Sequence, residues 1–240
     1  MRDHLVSYFR SGDGIRSRSV SAVVLSGLVD VPAPPARLVA DWQRETALRL
    51  GMETGDVEEM PLARARTRWP DYKHCVQAVT DWTHAVGLQD VLTSSDVALM
   101  GCRGAAYHHD GAQYGGMAFC NLFLSDDRGL DVHFSSTGHR IPLVRGTVVV
   151  FDTCQPHAVI ARHSSDFNVA HFPVEQDCTQ VFLTWELPIE NVHVAHALQI
   201  AFDIDALATL RPVEEQVRVN GTPGRVCPTT GRWVLDAVQK

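Results

Sequence analysis

The chain has 240 residues, of which 45% are hydrophobic and 20% are charged, and its formal net charge is −7. This length allows a sizeable buried core, and the composition is that of a globular protein and not of a disordered one. The negative charge argues against a nucleic-acid partner, because an acidic surface repels phosphates. No segment approaches the roughly 20 consecutive apolar residues that a membrane helix needs, so we expect no membrane partner.

The N-terminal residues and the cysteines indicate the compartment of the protein and the redox state of its thiols. The first 14 residues contain no apolar run of signal-peptide length, so we expect a cytoplasmic protein. The six cysteines form no Cys-x-x-Cys pair, which argues against a structural zinc site. In a reducing compartment we expect them to be thiols.

The first segment, residues 1–94, is mixed. Ser19 to Leu25 is a β-branched run that predicts a strand. Pro34 and Pro35 precede apolar positions at helical spacing, with Gly51 after them, which predicts a helix between the prolines and this glycine. Residues 71–86 have the same helical spacing, and residues 51–70 look like a loop. We expect this segment to pack on the part of the chain that follows it.

The second segment, residues 95–188, consists of short β runs separated by Gly and Asp turns. Several strands at this spacing are typical of a sandwich or barrel. The predicted strands are DVALMGCR, GMAFCNLFL, LDVHFSS, HRIPLV, GTVVVF, HAVIAR and TQVFLTWEL. The third segment, residues 189–240, predicts a helix from Val192 to Leu210 and then hairpin turns at Asn220-Gly221 and Thr230-Gly231. We expect the three segments to form a single compact domain.

A group of candidate metal ligands lies in the β segment. His108 and Asp110 follow a predicted strand, and alternate side chains of an extended segment share one face, so His109 points away. A later strand and turn carry His157, which a hairpin-like return would bring back to the first pair. Two imidazoles and one carboxylate suit Fe(II), because they leave coordination positions open. Zinc can use the same ligands with water in a fourth position.

With these motifs the sequence resembles the iron(II)- and 2-oxoglutarate-dependent dioxygenases. The shared features are His-x-Asp, the strand Gly-x-x-x-x-Phe-Asp that begins at Gly146, and the distal histidine followed by two apolar residues. The resemblance covers residues 97–187. It implies a mainly β fold, a double-stranded β-helix of the jelly-roll or cupin-like type with flanking helices. It also implies that His108, Asp110 and His157 are the catalytic iron ligands. A small-molecule substrate would be hydroxylated, desaturated or cyclised while 2-oxoglutarate is converted to succinate and CO₂.

The sequence departs from the family at the co-substrate site. The family usually holds the distal carboxylate of 2-oxoglutarate with an arginine on the strand after the distal histidine. Residues 179–185 occupy that place here and include no Arg or Lys. A buried carboxylate needs a cation or several donors. We therefore expect Arg162 first and Arg140 second, with hydroxyl or amide contacts from Thr179, Thr184 or Asn121. For the substrate, Tyr107 and Tyr114 are the candidate pocket residues.

Two other functions remain open at this point. A cupin-type metal dioxygenase would not use 2-oxoglutarate, and the missing downstream arginine keeps this hypothesis in place. A non-catalytic β-helix that binds a ligand is the second alternative. The sequence does not identify the substrate or the oligomeric state.

Overall fold

The structure is a computed structural model that describes residues 4–49, 55–173, 175–206, 208 and 214–235. Four helices lie in these ranges: α1 (Ala36–Arg49), α2 (Leu62–Arg68), α3 (Tyr72–Ala85) and α4 (Val192–Ala197). None of the helices in these ranges is long and apolar enough to cross a membrane. The strands are β1 (Leu5–Ser11), β2 (Gly14–Ser19), β3 (Val24–Leu28), β4 (Val57–Met60), β5 (Val97–Cys102), β6 (Ala105–His108), β7 (Met117–Phe123), β8 (Leu130–Phe134), β9 (His139–Pro142), β10 (Thr147–Asp152), β11 (His157–Ala161), β12 (Gln180–Pro188), β13 (Gln216–Val219), β14 (Thr222–Val226) and β15 (Trp233–Leu235).

Two antiparallel sheets form the centre of the molecule. The larger sheet has the strand order β3-β10-β7-β12-β5-β4, and the smaller has the order β6-β11-β8-β9. Their inner faces share one cluster of buried side chains, in which the rings of Phe134 and Phe151 are 5.2 Å apart. This arrangement is a jelly-roll sandwich, and it confirms the predicted fold class.

The inner strands of the larger sheet, β10, β7, β12 and β5, are mainly apolar on both faces because both faces are covered. In β7, Phe119, Asn121 and Phe123 point to the smaller sheet, whereas Cys120 and Leu122 point to the helices. Trp42 and Trp69 belong to the cluster between helices and sheet and are 5% and 1% exposed. Burial of each such side chain stabilises the fold by about 1.5–3 kcal/mol. The helices therefore fix which face of the sheet is left to surround the cavity.

A third sheet joins the two ends of the chain. Its order is β15-β14-β13-β1-β2, so the N-terminal strands pair with the C-terminal hairpin. That hairpin turns at Asn220 and Gly221, whose φ angles are +52° and +84°. Positive φ at both central positions is the type I′ geometry that Asn-Gly favours, and it confirms the predicted turn.

The seven strands predicted between residues 95 and 188 are confirmed as β5 and β7–β12, and the helices predicted after the prolines and at residues 71–86 as α1 and α3. The prediction of a loop over residues 51–70 was wrong, because this stretch includes β4 and α2. Pairing of β4 with β5 supplies the strand with hydrogen bonds that its charged sequence did not suggest. The first predicted strand is displaced and begins at Val24. The helix predicted over residues 192–210 ends at Ala197, and residues 207, 209 and 210 lie outside the described ranges.

The division into three segments remains a prediction. Strands β3 and β4 come from the first segment and are the two edge strands of the larger sheet.

A buried ion pair links the N-terminal strands to the sandwich. Arg18 and Asp152 have fully buried side chains, and two hydrogen bonds of 2.6 and 2.8 Å join the guanidinium to the carboxylate. The Arg18 Nε also donates to the carbonyl of Gly115, at 2.8 Å. The carboxylate of Asp152 accepts two more bonds, from the backbone N–H groups of Ser21 and Cys154. This network satisfies the charges on both side chains.

Replacing Asp152 by Asn would leave the Arg18 charge buried without a countercharge. We expect the free energy of unfolding to fall by about 3–5 kcal/mol, measured by urea denaturation. The control is Asp126→Asn, which removes the partly exposed pair with Arg145 and should cost less than about 1 kcal/mol. Equal losses in the two variants would contradict the central role of the buried pair.

Candidate metal centre

Three side chains, two from neighbouring strands and one from the loop after β6, meet at one end of the smaller sheet. His108 ends β6, Asp110 follows two residues later, and His157 begins β11 directly opposite His108 in the antiparallel register. The Nε2 atoms of His108 and His157 lie 3.7 and 3.6 Å from the two carboxylate oxygens of Asp110. One candidate ligand atom from each residue lies within 4.8 Å of the others. The group thus presents two imidazole nitrogens and one carboxylate oxygen to a common point.

Backbone carbonyls orient both imidazoles. The Nδ1 of His108 donates to the carbonyl of Ala106 at 2.7 Å, and the Nδ1 of His157 donates to the carbonyl of Gln155 at 2.9 Å. A carbonyl only accepts, so the proton is on Nδ1 and the Nε2 lone pair faces the common point. Ligand histidines of metal sites commonly have such a partner.

Burial sets the charge state of the histidine on β11. It lowers the pKa of His157 well below its usual range, and the neighbouring His108 acts in the same direction. The imidazole is therefore neutral near neutral pH, which is the form that binds a metal. Burial raises the pKa of Asp110, while His108 opposes this effect. A divalent cation would favour the carboxylate and offset the cost of burying it.

A second group of contacts fixes the loop that carries Asp110. The backbone N–H of Asp110 donates to the carbonyl of Thr153 at 2.8 Å. The Thr153 hydroxyl lies 2.7 and 2.8 Å from the carbonyls of Tyr114 and Met117. The loop before β7 is thus held against the turn between β10 and β11, and that turn leads directly to His157.

A cavity of about 300 Å³ opens from this group into the space between the two sheets. Its walls are mainly apolar, from Met100, Phe119, Phe123, Phe151 and Phe182. A polar pair interrupts them: Asn121 on β7 and Thr184 on β12 are opposite each other in the register. These side chains are 9% and 8% exposed, and Asn121 Oδ1 and Thr184 Oγ1 have no hydrogen-bond partner among the described residues. Buried polar atoms without a partner indicate a place for a ligand or water.

The structure brings some of the predicted site residues to this cavity. Asn121, Thr184 and Tyr114 line it, together with the three candidate ligands. His109 does not take part, because its ring packs against Trp233 with the centroids 5.0 Å apart.

The predicted arginines are elsewhere. Arg162 donates to Asp127 and Asp131, and Arg140 donates to Asp131 and to two backbone carbonyls. Neither lines the cavity. Both guanidinium groups are occupied by carboxylates near the turn before β8, a pairing that the sequence did not predict.

Two further candidates also lie away from the cavity. Thr179 lines a different pocket beside Asp177. The Tyr107 hydroxyl is hydrogen-bonded to His133 Nδ1, and the tyrosine is 2% exposed. Burial raises the pKa of Tyr107 to about 12. These residues support the β sandwich and have no contact with the cavity.

Two cavity carboxylates, Glu59 and Glu186, were not among the predicted site residues. Glu186 could have been found, because it continues the alternation of Phe182 and Thr184 along the predicted strand. Glu59 could not, because it lies in the stretch that was taken for a loop.

Removing any one of the three candidate ligands should abolish tight metal binding. We expect about one Fe(II) per chain in the wild type after anaerobic reconstitution, and a large loss of bound iron in His108→Ala, Asp110→Ala and His157→Ala, measured by iron analysis after desalting. The matched control is His109→Ala, which should retain its iron. Iron lost from His109→Ala but kept by His108→Ala would contradict the assignment.

Comparison with known proteins finds similar solved structures but no match in sequence. No family model and no curated protein matches the sequence. Several solved structures are similar to it. The viral collagen prolyl hydroxylase of Paramecium Bursaria Chlorella virus-1, in a complex with 2OG, is 11% identical over 69% of this chain and 94% of its own, with a TM-score of 0.37. A Pseudomonas putida prolyl-4-hydroxylase is 17% identical over 70% and 93%, with a TM-score of 0.36. The non-heme alpha ketoglutarate dependent epimerase SnoN, from nogalamycin biosynthesis, is 14% identical over 69% and 78%, with a TM-score of 0.36. These values are too low to carry an activity over to this chain.

Proposed function

We propose that this chain is an Fe(II)- and 2-oxoglutarate-dependent oxygenase that acts on a small organic molecule. The observation that supports this function is the arrangement of His108, Asp110 and His157, in which both Nε2 atoms face the carboxylate. Two histidines and one carboxylate on one face of a metal are typical of non-haem iron oxygenases. The names of the solved structures described above agree with this class.

The residues fit the metal. Two neutral imidazole nitrogens and a carboxylate oxygen satisfy part of the coordination of Fe(II) and leave the cavity side open. The carbonyls of Ala106 and Gln155 hold the two rings in the ligating tautomer. When bound, iron and the co-substrate supply the activation of O₂ for oxidation of a C–H bond. The phenylalanine walls exclude water and hold the apolar part of the substrate near the ligands.

The cavity residues can hold 2-oxoglutarate, but without the arginine that the family usually provides. Among the described residues that line the cavity there is no Lys or Arg. The described cavity residues offer only neutral side-chain donors to the distal carboxylate, and the Thr184 hydroxyl and the amide N–H₂ of Asn121 lie side by side on the facing strands β12 and β7. Two neutral donors hold a carboxylate less strongly than a guanidinium does. We therefore assign the carboxylate to Thr184 and Asn121, in place of Arg162 and Arg140.

Turnover without substrate tests the proposal. Wild-type protein incubated with Fe(II), ascorbate and 2-oxoglutarate in air should release succinate, because these enzymes slowly decarboxylate the co-substrate without substrate. Mass spectrometry measures succinate, and Asp110→Ala should reduce it to the protein-free background. No succinate above background, with no change in the iron spectrum on adding 2-oxoglutarate, would remove this function.

The Thr184 hydroxyl can be tested by binding alone. Thr184→Val keeps the shape and removes the donor, and a hydrogen bond to a charged group is worth about 1.5–3 kcal/mol. The Kd of 2-oxoglutarate for the anaerobic Fe(II) protein should therefore rise about tenfold or more, as measured by calorimetry. Iron content should not change, and Thr184→Ser should restore most of the affinity. An unchanged Kd in Thr184→Val would place the carboxylate elsewhere.

The lack of Lys and Arg among the described residues that line the cavity also favours a second function, a metal-dependent dioxygenase that needs no 2-oxoglutarate. Such an enzyme would keep the same three ligands. It would bind iron in reconstitution but show neither a spectral response to 2-oxoglutarate nor succinate release.

A further inference from the structure

The charges on the cavity wall have one sign. Apart from the candidate ligand Asp110, the ionised side chains among its described lining residues are Glu59 and Glu186. Within the described ranges, neither glutamate has a cationic partner within 4 Å. The part of the wall that carries these two carboxylates favours a cation over an anion.

The two glutamates occupy defined places on the larger sheet. Glu186 on β12 lies opposite Phe119 and two residues beyond Thr184, so both side chains point to the same face. Glu59 on the edge strand β4 lies opposite Met100, which is itself opposite Phe182. Glu186 is half-buried and Glu59 is exposed. The two carboxylates therefore stand along one wall, Glu59 on the side of solvent.

A second observation, independent of the acidic pair, also indicates a ligand with N–H groups. Asn121 lines the same cavity and is only 9% exposed, and its Oδ1 has no hydrogen-bond partner in the part of the chain that the structure describes. An amide oxygen only accepts, so neither a metal-bound carboxylate nor the distal carboxylate of 2-oxoglutarate can satisfy it. The amide oxygen needs a donor, and a ligand with N–H groups can supply it. Asn121 is opposite Thr184, and Thr184 is two residues from Glu186, so this acceptor lies on the same patch as the carboxylate.

We propose that the substrate is a small organic cation, an amine or guanidine with an apolar body, whose N–H groups bind Glu186, Glu59 and Asn121 Oδ1. This inference rests on the proposed function, since it names the substrate class of the same site. Charge-assisted hydrogen bonds to carboxylates are about twice as strong as neutral ones. Phe119 and Phe182 line the wall beside the glutamates, and aromatic faces attract a cation as well as the apolar body.

The electrostatics of neighbouring groups agree with a missing positive charge. Burial raises the pKa of Glu186, and the nearby carboxylates of Asp96 and Glu59 raise it further. Burial likewise raises the pKa of Tyr114, and Glu186, Asp110 and Glu59 add to this effect. An organic cation would relieve the repulsion among these carboxylates.

Binding of three matched probes tests the proposal without turnover. Benzylammonium, benzyl alcohol and benzoate have similar size and differ in charge. Calorimetry on the full chain, both without metal and with anaerobic Fe(II), should show that benzylammonium binds at least about tenfold more tightly than benzyl alcohol. Benzoate should bind most weakly in the metal-free chain, where no iron is present to bind its carboxylate.

Conservative variants connect the preference to the glutamates. Glu186→Gln should reduce the preference for benzylammonium about tenfold, and Glu59→Gln should reduce it less because Glu59 is exposed. Glu58→Gln is the matched control, since Glu58 is the exposed neighbour of Glu59 and does not line the cavity. Circular dichroism and unfolding curves confirm that each variant is folded.

The outcomes separate this inference from the proposed function. Equal binding of the three probes, no detectable binding of benzylammonium, or a preference unchanged in Glu186→Gln would overturn the cationic substrate. Iron binding and succinate release are measured in separate experiments without these probes. A failure there would remove the oxygenase and would leave the metal-free probe preference as a separate result.

Discussion

The ion pair between Arg18 and Asp152 is the interaction on which the arrangement of the site depends. Both side chains are fully buried, and burying charges is costly unless each finds partners. The hydrogen-bond partners of this pair lie just after β2, at the carbonyl of Gly115 before β7, and in the turn after β10. The pair thus joins the N-terminal strands to the loops that carry Asp110 and His157.

The candidate metal ligands are held by backbone contacts more than by neighbouring side chains. Both imidazoles donate to carbonyls two residues earlier, and Asp110 is held through its own backbone N–H on the Thr153 carbonyl. The orientation of these three side chains is therefore set by the main chain around residues 106–110 and 153–157. The turn secured by Asp152 holds one half of this main chain, and the pairing of β6 with β11 holds the other.

The cavity combines two kinds of negative charge. Asp110 is adjacent to the histidines, where a metal cation would compensate it, whereas Glu59 and Glu186 lie along the wall of the larger sheet. The arginines that could have neutralised such a cavity, Arg140 and Arg162, are paired on Asp127 and Asp131 instead. The cavity therefore has two acidic regions, the candidate metal site at Asp110 and the wall at Glu59 and Glu186.

The sequence by itself determined what depends on local order. Short β runs between Gly and Asp turns predicted β5 and β7–β12. The spacing of His108 and Asp110 placed their side chains on one face, because neighbouring residues of an extended chain point to opposite faces. Partners distant in sequence could only be decided by the tertiary structure. Arg18 is 134 residues from Asp152, and Glu59 reaches the cavity through an edge strand that pairs with β5. Strand register brings such residues together, and it is set by the packing of the whole sandwich and not by any single segment.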